Sequence, residues 1–422
     1  MLLLNAQCYT FAAMITTSVC IVGCGPAGAM AALRLGREKI PFVIVDKDRF
    51  PRAKICGDGL SGKAPRIMSR LSPDLLARFE EQCHPLHSFG MRFVVPGDFT
   101  FDVPFIVDYD PDVHPVPGYT VKREVFDAFM AKEVEQAGGQ VITGRSVTSI
   151  KETEGGFNIQ YEGGEIMAPL LIDASGTSSK FGVPYQKPEP AAGKTALAVR
   201  SYYRGVSGMH PQNFIELYFL KDILPGYFWI FPLQNGLANV GLGLRKDIVQ
   251  RKKIRLSQAM EEIIRTHPLI AARFHHASRE GRPEAYRLPL GNPRFSISGN
   301  RYMLAGDAAH LVDPFTGEGV GNAMYSGYIA AEQAIECLKQ KRFDSRFMKN
   351  YDRRIRRVLG KEMAISRNLQ RLLHHPGLVR VLAKKAHRNI HVPKILSSMY
   401  TDLDYRKKLV NPWYLLRVLL NR

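Results

Sequence analysis

The alternation of apolar and polar positions divides the chain into a series of elements. Residues 17–23, TSVCIVG, form a short β-rich apolar run, and the alanine-rich stretch Ala27 to Arg37 that follows has helical character. The run PFVIVD predicts a second buried strand ending at Asp46, so these pieces make one βαβ unit. Residues 122–138 read as an amphipathic helix, and VITGRSVTSIKE, FNIQYEG and APLLIDAS as strands, the last ending at Asp173. Between 195 and 245 the texture changes. TALAVRSYYRG, NFIELYFL, YFWIFPL and ANVGLGL are aromatic and β-branched runs separated by Gly, Pro and Asn, which predicts an antiparallel sheet. A further pair of strands is expected at 88–95 and 99–106. RYMLAG, 301–306, returns to a buried strand, a long helix starts near Gly319, and beyond 346 the pattern is helical and basic.

This order predicts an α/β fold. A Rossmann-type dinucleotide-binding domain is expected in three pieces, 14–85, 115–185 and 295–345. An antiparallel β-sheet substrate domain, 86–114 and 186–294, is inserted between them, and a basic helical region, 346–422, follows. Residues 1–13 read as an extension ahead of a second possible start at Met14. The length of 422 residues exceeds what one hydrophobic core supports.

Charge sharpens this division. Of the formal +19, the segment Arg346–Arg422 carries +15, with 19 Lys+Arg against 4 Asp+Glu, so the remaining body is nearly neutral. Such a tail suits an anionic partner. The first 33 residues hold no charged side chain, but Gly23, Gly25, Pro26 and Gly28 interrupt them with a strand–turn–helix pattern, against a membrane span. No positive segment precedes the apolar run, against a signal peptide. Six cysteines stand at 8, 20, 24, 56, 83 and 337 with no CxxC pair and no Cys/His cluster of metal-ligand spacing. Neither a metal site nor a disulfide framework is expected, and a reducing, cytoplasmic compartment is the simpler expectation.

Candidate chemistry begins at Gly23-Cys24-Gly25-Pro26-Ala27-Gly28. A dinucleotide's pyrophosphate needs backbone N–H groups at close range. Gly23 permits the tight turn, Gly25 lets the backbone approach the phosphates, and Gly28 lets the helix opened by Pro26 and Ala27 pack on the strand. The helix dipole favours the anion. Asp46 ends the next strand 18 residues after Gly28, where an acid accepts from the adenosine ribose hydroxyls, and Lys47 beside it is a further expected contact. The bland alternative is a glycine-rich turn without ligand.

The segment Arg301–Gly321, RYMLAGDAAHLVDPFTGEGVG, runs from an apolar strand through Gly306-Asp307 and a Pro/Gly-rich loop into a helix. It resembles the second FAD signature of the p-hydroxybenzoate hydroxylase class. The resemblance implies FAD as the tightly held cofactor. Asp307 then binds the ribityl chain, and the loop from Pro314 through Gly319 lies against the isoalloxazine. The helix start at Val320-Gly321 faces the ring edge where negative charge appears on reduction. His310 is expected to be a structural loop histidine. In the same class an arginine at the start of the 122–138 helix reaches FAD, which points to Arg123; the alternative is a solvated surface arginine. Val147 would give backbone contacts to adenine. Hydroxylases of the class carry Asp-Gly where this chain has Asp173-Ala174-Ser175-Gly176, a segment linked to FAD and pyridine nucleotide binding, so the electron donor, NAD(P)H or a protein, stays open.

A narrower resemblance rests on two further motifs, Pro51-Arg52-Ala53-Lys54-Ile55-Cys56-Gly57-Asp58-Gly59 and Pro225-Gly226-Tyr227-Phe228-Trp229-Ile230-Phe231-Pro232. Together they look like the geranylgeranyl reductase family of flavoproteins, over roughly residues 17–345. That family has a Cys-Gly-Asp type turn beside the flavin and a YxWxFP strand lining the substrate cavity. The resemblance implies reduction of isolated C=C bonds in a polyprenyl chain, with a proton delivered to one carbon and a hydride from reduced flavin to the other. Arg52, Cys56 and Gly57 would then stand beside the cofactor. Cys56 would gate or handle protons, and Tyr227 and Trp229 would wall a dry cavity able to face a developing cation. Ordinary sheet core is the alternative for the aromatic strand, and a small buried filler for Cys56.

Two rival functions use the same scaffold, a flavin monooxygenase and a flavin-dependent halogenase. Halogenases carry a WxWxIP strand, and here Tyr227 replaces the first Trp and Phe231 the Ile. Lys63 is the nearest lysine after the Cys-Gly-Asp turn. The basic tail has few aromatics and no nucleic-acid motif, so nucleic acid is not an expected partner. Leu372, Leu373, Leu378, Val379, Val381 and Leu382 interleaved with Arg371, Arg380, Lys384 and Lys385, and the apolar 412–420, suit peripheral binding to an anionic membrane. The alternative is a helical region that packs its apolar face on the body.

Overall fold

The computed structural model describes residues 14–107, 109–178, 194–291, 296–375 and 377. At its centre is a six-stranded sheet in the order Ser298–Gly299, Tyr302–Leu304, Leu170–Asp173, Val19–Val22, Phe42–Val45, Gln140–Ile142. Neighbours are parallel except the first pair. The three central strands are buried along their whole length, which is why they read as unbroken apolar runs: a parallel sheet is covered on both faces. Helices Pro26–Arg37, Arg123–Glu135 and Val320–Gln340 contribute to the core on one face. Against the other packs a four-stranded sheet, Met14–Thr16, Gly164–Ala168, Gly156–Tyr161 and Val147–Thr153, through Ile150, Phe157, Ile159 and Ile166.

One sequence run is divided between these sheets, and a strand ahead of the 17–23 run was not expected. Met14–Thr16 joins the four-stranded sheet, and the chain then turns so that Val19–Val22 enters the six-stranded one. VITGRSVTSIKE, expected as one strand, is two, broken around Gly144, whose φ of +67° lies in the left-handed region.

A seven-stranded sheet forms the second layer, in the order Ser278–Pro289, Thr195–Arg204, Leu237–Arg245, Tyr227–Pro232, Ile215–Tyr218, Gly90–Val95, Phe99–Pro104. It is antiparallel except where Ile215–Tyr218 meets Gly90–Val95. Phe228 and Ile230 join the core on one face, with Met260 and Ile270 from the covering helices; Trp229 belongs to the core on the other. The edge strand Ser278–Pro289, SREGRPEAYRLP, carries charges and Pro283, as befits a row of half-paired backbone groups.

Packing continues beyond residue 345. Helix Ser345–Ile355 buries Phe347, Met348 and Tyr351 in the core of the six-stranded sheet, and the Tyr351 hydroxyl donates to the Leu304 carbonyl at 2.6 Å. Helix Lys361–Leu372 lays Ile365, Leu369 and Leu372 against the Trp229 side of the seven-stranded sheet, as does Leu373 just beyond its end. Gln370 donates to the Pro314 carbonyl at 2.6 Å. Residues 378–422, with most of the side chains of the expected membrane-binding segment, lie outside the described residues. Among the described residues no helix is long and apolar enough to cross a membrane.

One buried polar group ties the layers together. Asp58 has a φ of +66° and no solvent exposure. Its Oδ1 accepts from the Arg123 backbone N–H at 3.1 Å, and its Oδ2 from the Tyr202 hydroxyl at 2.8 Å and Asn239 Nδ2 at 2.7 Å. Asn239 also donates to the Cys56 carbonyl at 2.7 Å and accepts from Trp229 Nε1 at 2.9 Å. Burial raises the Asp58 pKa, and the surrounding donors oppose that rise.

Two predictions follow from this packing. A Cβ at Gly327 would stand 1.9 Å from the Ala27 carbonyl oxygen of the facing helix, whereas at Gly360 the nearest neighbour is Arg356 Cβ at 3.6 Å. Gly327→Ala is expected to lower stability by about 1–3 kcal/mol, while Gly360→Ala is neutral or raises it by about 0.5–1 kcal/mol; thermal unfolding midpoints read both. Asn239→Leu strips partners from Asp58, Trp229 and Cys56 together. It should cost about 3 kcal/mol and shift the emission of Trp229, measured in a Trp413→Phe background because the chain has 2 tryptophans.

Candidate cofactor and substrate site

A cavity of about 830 Å³ lies between the six- and seven-stranded sheets and takes side chains from both. At one end is the glycine-rich turn. Gly23 has a φ of +96°, and a Cβ there would meet the Ala174 carbonyl oxygen at 2.5 Å. A Cβ at Gly28 would meet the Gly23 carbonyl oxygen at 1.8 Å, which confirms close packing beneath the turn. At Gly25 the nearest atom is Arg52 Nη2 at 3.8 Å, so that face opens to the cavity. Pro26 starts the helix, and no acidic side chain stands in its first turn. Asp46 accepts from the Cys24 N–H at 2.6 Å and from the Asp48 N–H at 2.9 Å, bracing the turn; burial raises its pKa. Lys47 and Val147 line the same end.

Two arginines converge on one carboxylate at the next step along the wall. Arg123 donates to Asp127 through Nε and Nη2, at 2.9 and 2.8 Å, and Arg52 reaches the same group at 3.1 Å. Arg123 is 5% exposed, which removes the solvated-surface alternative. Arg52 Nη1 is buried without a hydrogen-bond acceptor, and Nε has only the Asp48 carboxylate at 3.5 Å. Gly306 and Asp307 form the floor, and burial raises the Asp307 pKa against the pull of Lys54 and Arg123.

Aromatic rings wall the other arm. Tyr227, Trp229 and Phe231 all line the cavity because alternate residues of a strand share a face. The Tyr227–Trp229 centroids are 6.0 Å apart and the Trp229–Phe231 centroids 6.2 Å. The Tyr227 hydroxyl donates to the Thr316 carbonyl at 2.5 Å, and burial pushes its pKa well up. Phe219 continues the row toward Phe315, stacked at 5.4 Å. Cys56 and Gly57 line the cavity at the junction, with Phe231 against the turn: its ring lies 3.0 Å from where a Gly57 Cβ would be. Pro314, Gly319 and Val320 complete the wall.

Three of the residues expected at the cofactor are not in that wall. Gly28 packs beneath the turn, as described. Asp173 has no exposure and directs its carboxylate to the Ser175 N–H and hydroxyl at 3.0 and 2.5 Å. Gly321 lies within the helix, where a Cβ would meet Glu318 and Lys63. Lys63 is buried outside the wall, its ammonium donating to Asn322 Oδ1 at 2.8 Å and Glu362 Oε1 at 2.5 Å. His310 is buried in its loop at a φ of +53°.

Sequence reasoning gave no role to Lys54, Tyr286, Thr177 or Gln370, all in the wall. Lys54 lies within the Pro51–Gly59 segment; the others carry no local signal, since a charged edge strand, a turn and a distant helix supply them. The described residues contain no group of three metal-ligating side chains. The open Gly25 face, the acid-free helix start and the unsatisfied Arg52 Nη1 fit a bound dinucleotide.

Comparison with known proteins agrees with this geometry. A menaquinone reductase of Mycobacterium tuberculosis is 28% identical over 407 residues, 92% of this chain and 93% of that one. Digeranylgeranylglycerophospholipid reductase 2 of Methanosphaera stadtmanae is 26% identical over 80% of this chain and 82% of its own. Among solved structures, a geranylgeranyl bacteriochlorophyll reductase-like protein of Thermoplasma acidophilum has a TM-score of 0.79 at 21% identity, covering 94% of this chain and 99% of its own. The flavin-dependent brominase Bmp2 has 0.76 at 19%, with the same coverage. Residues 16–364 match the family described as FAD binding domain, so the chain belongs to that family and is an FAD-dependent oxidoreductase.

Proposed function

We propose that this enzyme reduces C=C bonds of a polyprenyl chain. The observation that carries this reading is the aromatic arm: Tyr227, Trp229, Phe231 and Phe315 run from the Pro314–Gly319 loop along one arm of the cavity, away from its charged end. The names of the reductase relatives support it, since one acts on a geranylgeranyl lipid.

On this reading Gly23, Gly25, Pro26 and Ala27 hold the pyrophosphate, Asp46, Lys47 and Val147 the adenosine end, and Asp307 the ribityl chain. The ring lies by Gly319 and Val320. Residues 14–85, 115–185 and 295–345 then carry the cofactor, and 86–114 with 186–294 the substrate wall. Bound and reduced FAD supplies the hydride. The chain's own groups hold the substrate and keep water out. Tyr227 keeps its proton, which it donates to the Thr316 carbonyl, and presents a ring to the cavity; Trp229, whose indole N–H donates to Asn239, does the same. Their π-faces lower the energy of positive charge developing on carbon. Cys56 is the proton-handling group at the junction. The electron donor is NAD(P)H or a protein.

The brominase likeness favours a second reading, halogenation or oxygenation on the same scaffold. The two separate on one experiment. After anaerobic photoreduction, adding geranylgeranyl diphosphate or a prenylquinone should reoxidise the flavin and add hydrogens to the product in steps of two. Flavin that stays reduced until O2 is admitted, with oxygen or halogen then found in product, reverses the assignment. A membrane-borne substrate also predicts binding to anionic vesicles that weakens with salt, and none to zwitterionic ones, because Arg346–Arg422 carries +15. Equal sedimentation with both would count against it.

A further inference from the structure

Lys54 lines the cavity and has no role in that reading. The arginines of the wall each have a carboxylate: Arg52 and Arg123 share Asp127, Arg200 has Glu284, and Arg245 has Asp247. Lys54 has no carboxylate at ion-pair distance among the described residues. Its Nζ instead lies 3.7 Å from the centre of the Tyr286 ring. A π-face stabilises an ammonium without cancelling its charge. Tyr286 is itself fixed, its hydroxyl 2.9 Å from that of Thr177. Thr177 follows Gly176, where a Cβ would find no atom within 4 Å. The platform therefore holds a positive charge beside open space, next to the floor at Asp307.

We propose that Lys54 is an anion-binding position completed by the cofactor itself, its ammonium receiving the negative charge of the bound dinucleotide. That charge has two sources, the pyrophosphate and the ring once reduced. The inference rests on the FAD assignment. The electrostatics agree with it. Burial pulls the Lys54 pKa down to about 8; Asp307 and Cys56 oppose this, and Arg123 and Arg52 reinforce it. A group in that state takes up a proton when an anion arrives.

Calorimetric titration of the apoprotein with FAD at pH 8, in two buffers of different ionisation heat, tests this. Wild type should take up about half a proton per FAD. Lys54→Met should take up none and bind FAD roughly 10- to 100-fold more weakly. Lys54→Arg should recover affinity without uptake, since its charge is permanent, and so separates loss of charge from misfolding. That pattern assigns the pyrophosphate. If Lys54→Met binds oxidised FAD normally but lowers its reduction potential and, on two-electron reduction, takes up about half a proton less than wild type, leaving only the proton the flavin itself consumes, the ring is the partner. Unchanged affinity, uptake and potential in Lys54→Met would overturn the proposal. Failure of wild type to bind FAD would instead overturn the cofactor assignment beneath it.

Discussion

A carboxylate buried without solvent must be surrounded by donors, and meeting that demand at Asp58 decides how this molecule is put together. Its donors come from the start of the arginine helix and from two strands of the seven-stranded sheet. None of the three elements can shift without leaving the charge short of a partner. The same amide that serves Asp58 also sets the Cys56 carbonyl and the indole of Trp229. Turn, helix and aromatic strand are therefore located relative to one another by a single polar cluster, while apolar packing supplies the bulk of the cohesion on either side.

The parts of this arrangement legible in the sequence are those that local physics dictates. The buried strands of the parallel sheet announce themselves as apolar runs, and Gly23 and Gly28 by a spacing that close packing requires. The aromatic strand shows its alternation directly, and by that alternation Phe231 joins Tyr227 and Trp229 in the cavity. Elements that depend on distant partners were not legible. Ser278–Pro289 has no apolar face to betray a strand, because an edge needs none. Asn239 matters only through what the fold sets around it. Asp173 and Gly321 lie one step behind the surface that motif position alone suggests.

Reductases and a brominase share this framework, so the scaffold does not choose the chemistry. What distinguishes the cavity is its division into a charged end and an apolar end. The first is lined with arginines whose shared carboxylate keeps their net charge modest. The second offers rings whose polar atoms are already engaged with protein. A long apolar chain can occupy that second arm without displacing any hydrogen bond.

The contacts of the Lys361–Leu372 helix with the Pro314–Gly319 region have a consequence for biosynthesis. Gln370 holds the Pro314 carbonyl, and Glu362 holds Lys63, which neighbours that loop. Both lie after residue 345 in the chain. A nascent chain whose first 345 residues have left the ribosome has every glycine of the cofactor motifs, yet lacks these supports. Among the described residues, the loop acquires these anchors only when residue 370 has emerged, after the sheets that flank the cavity have been made.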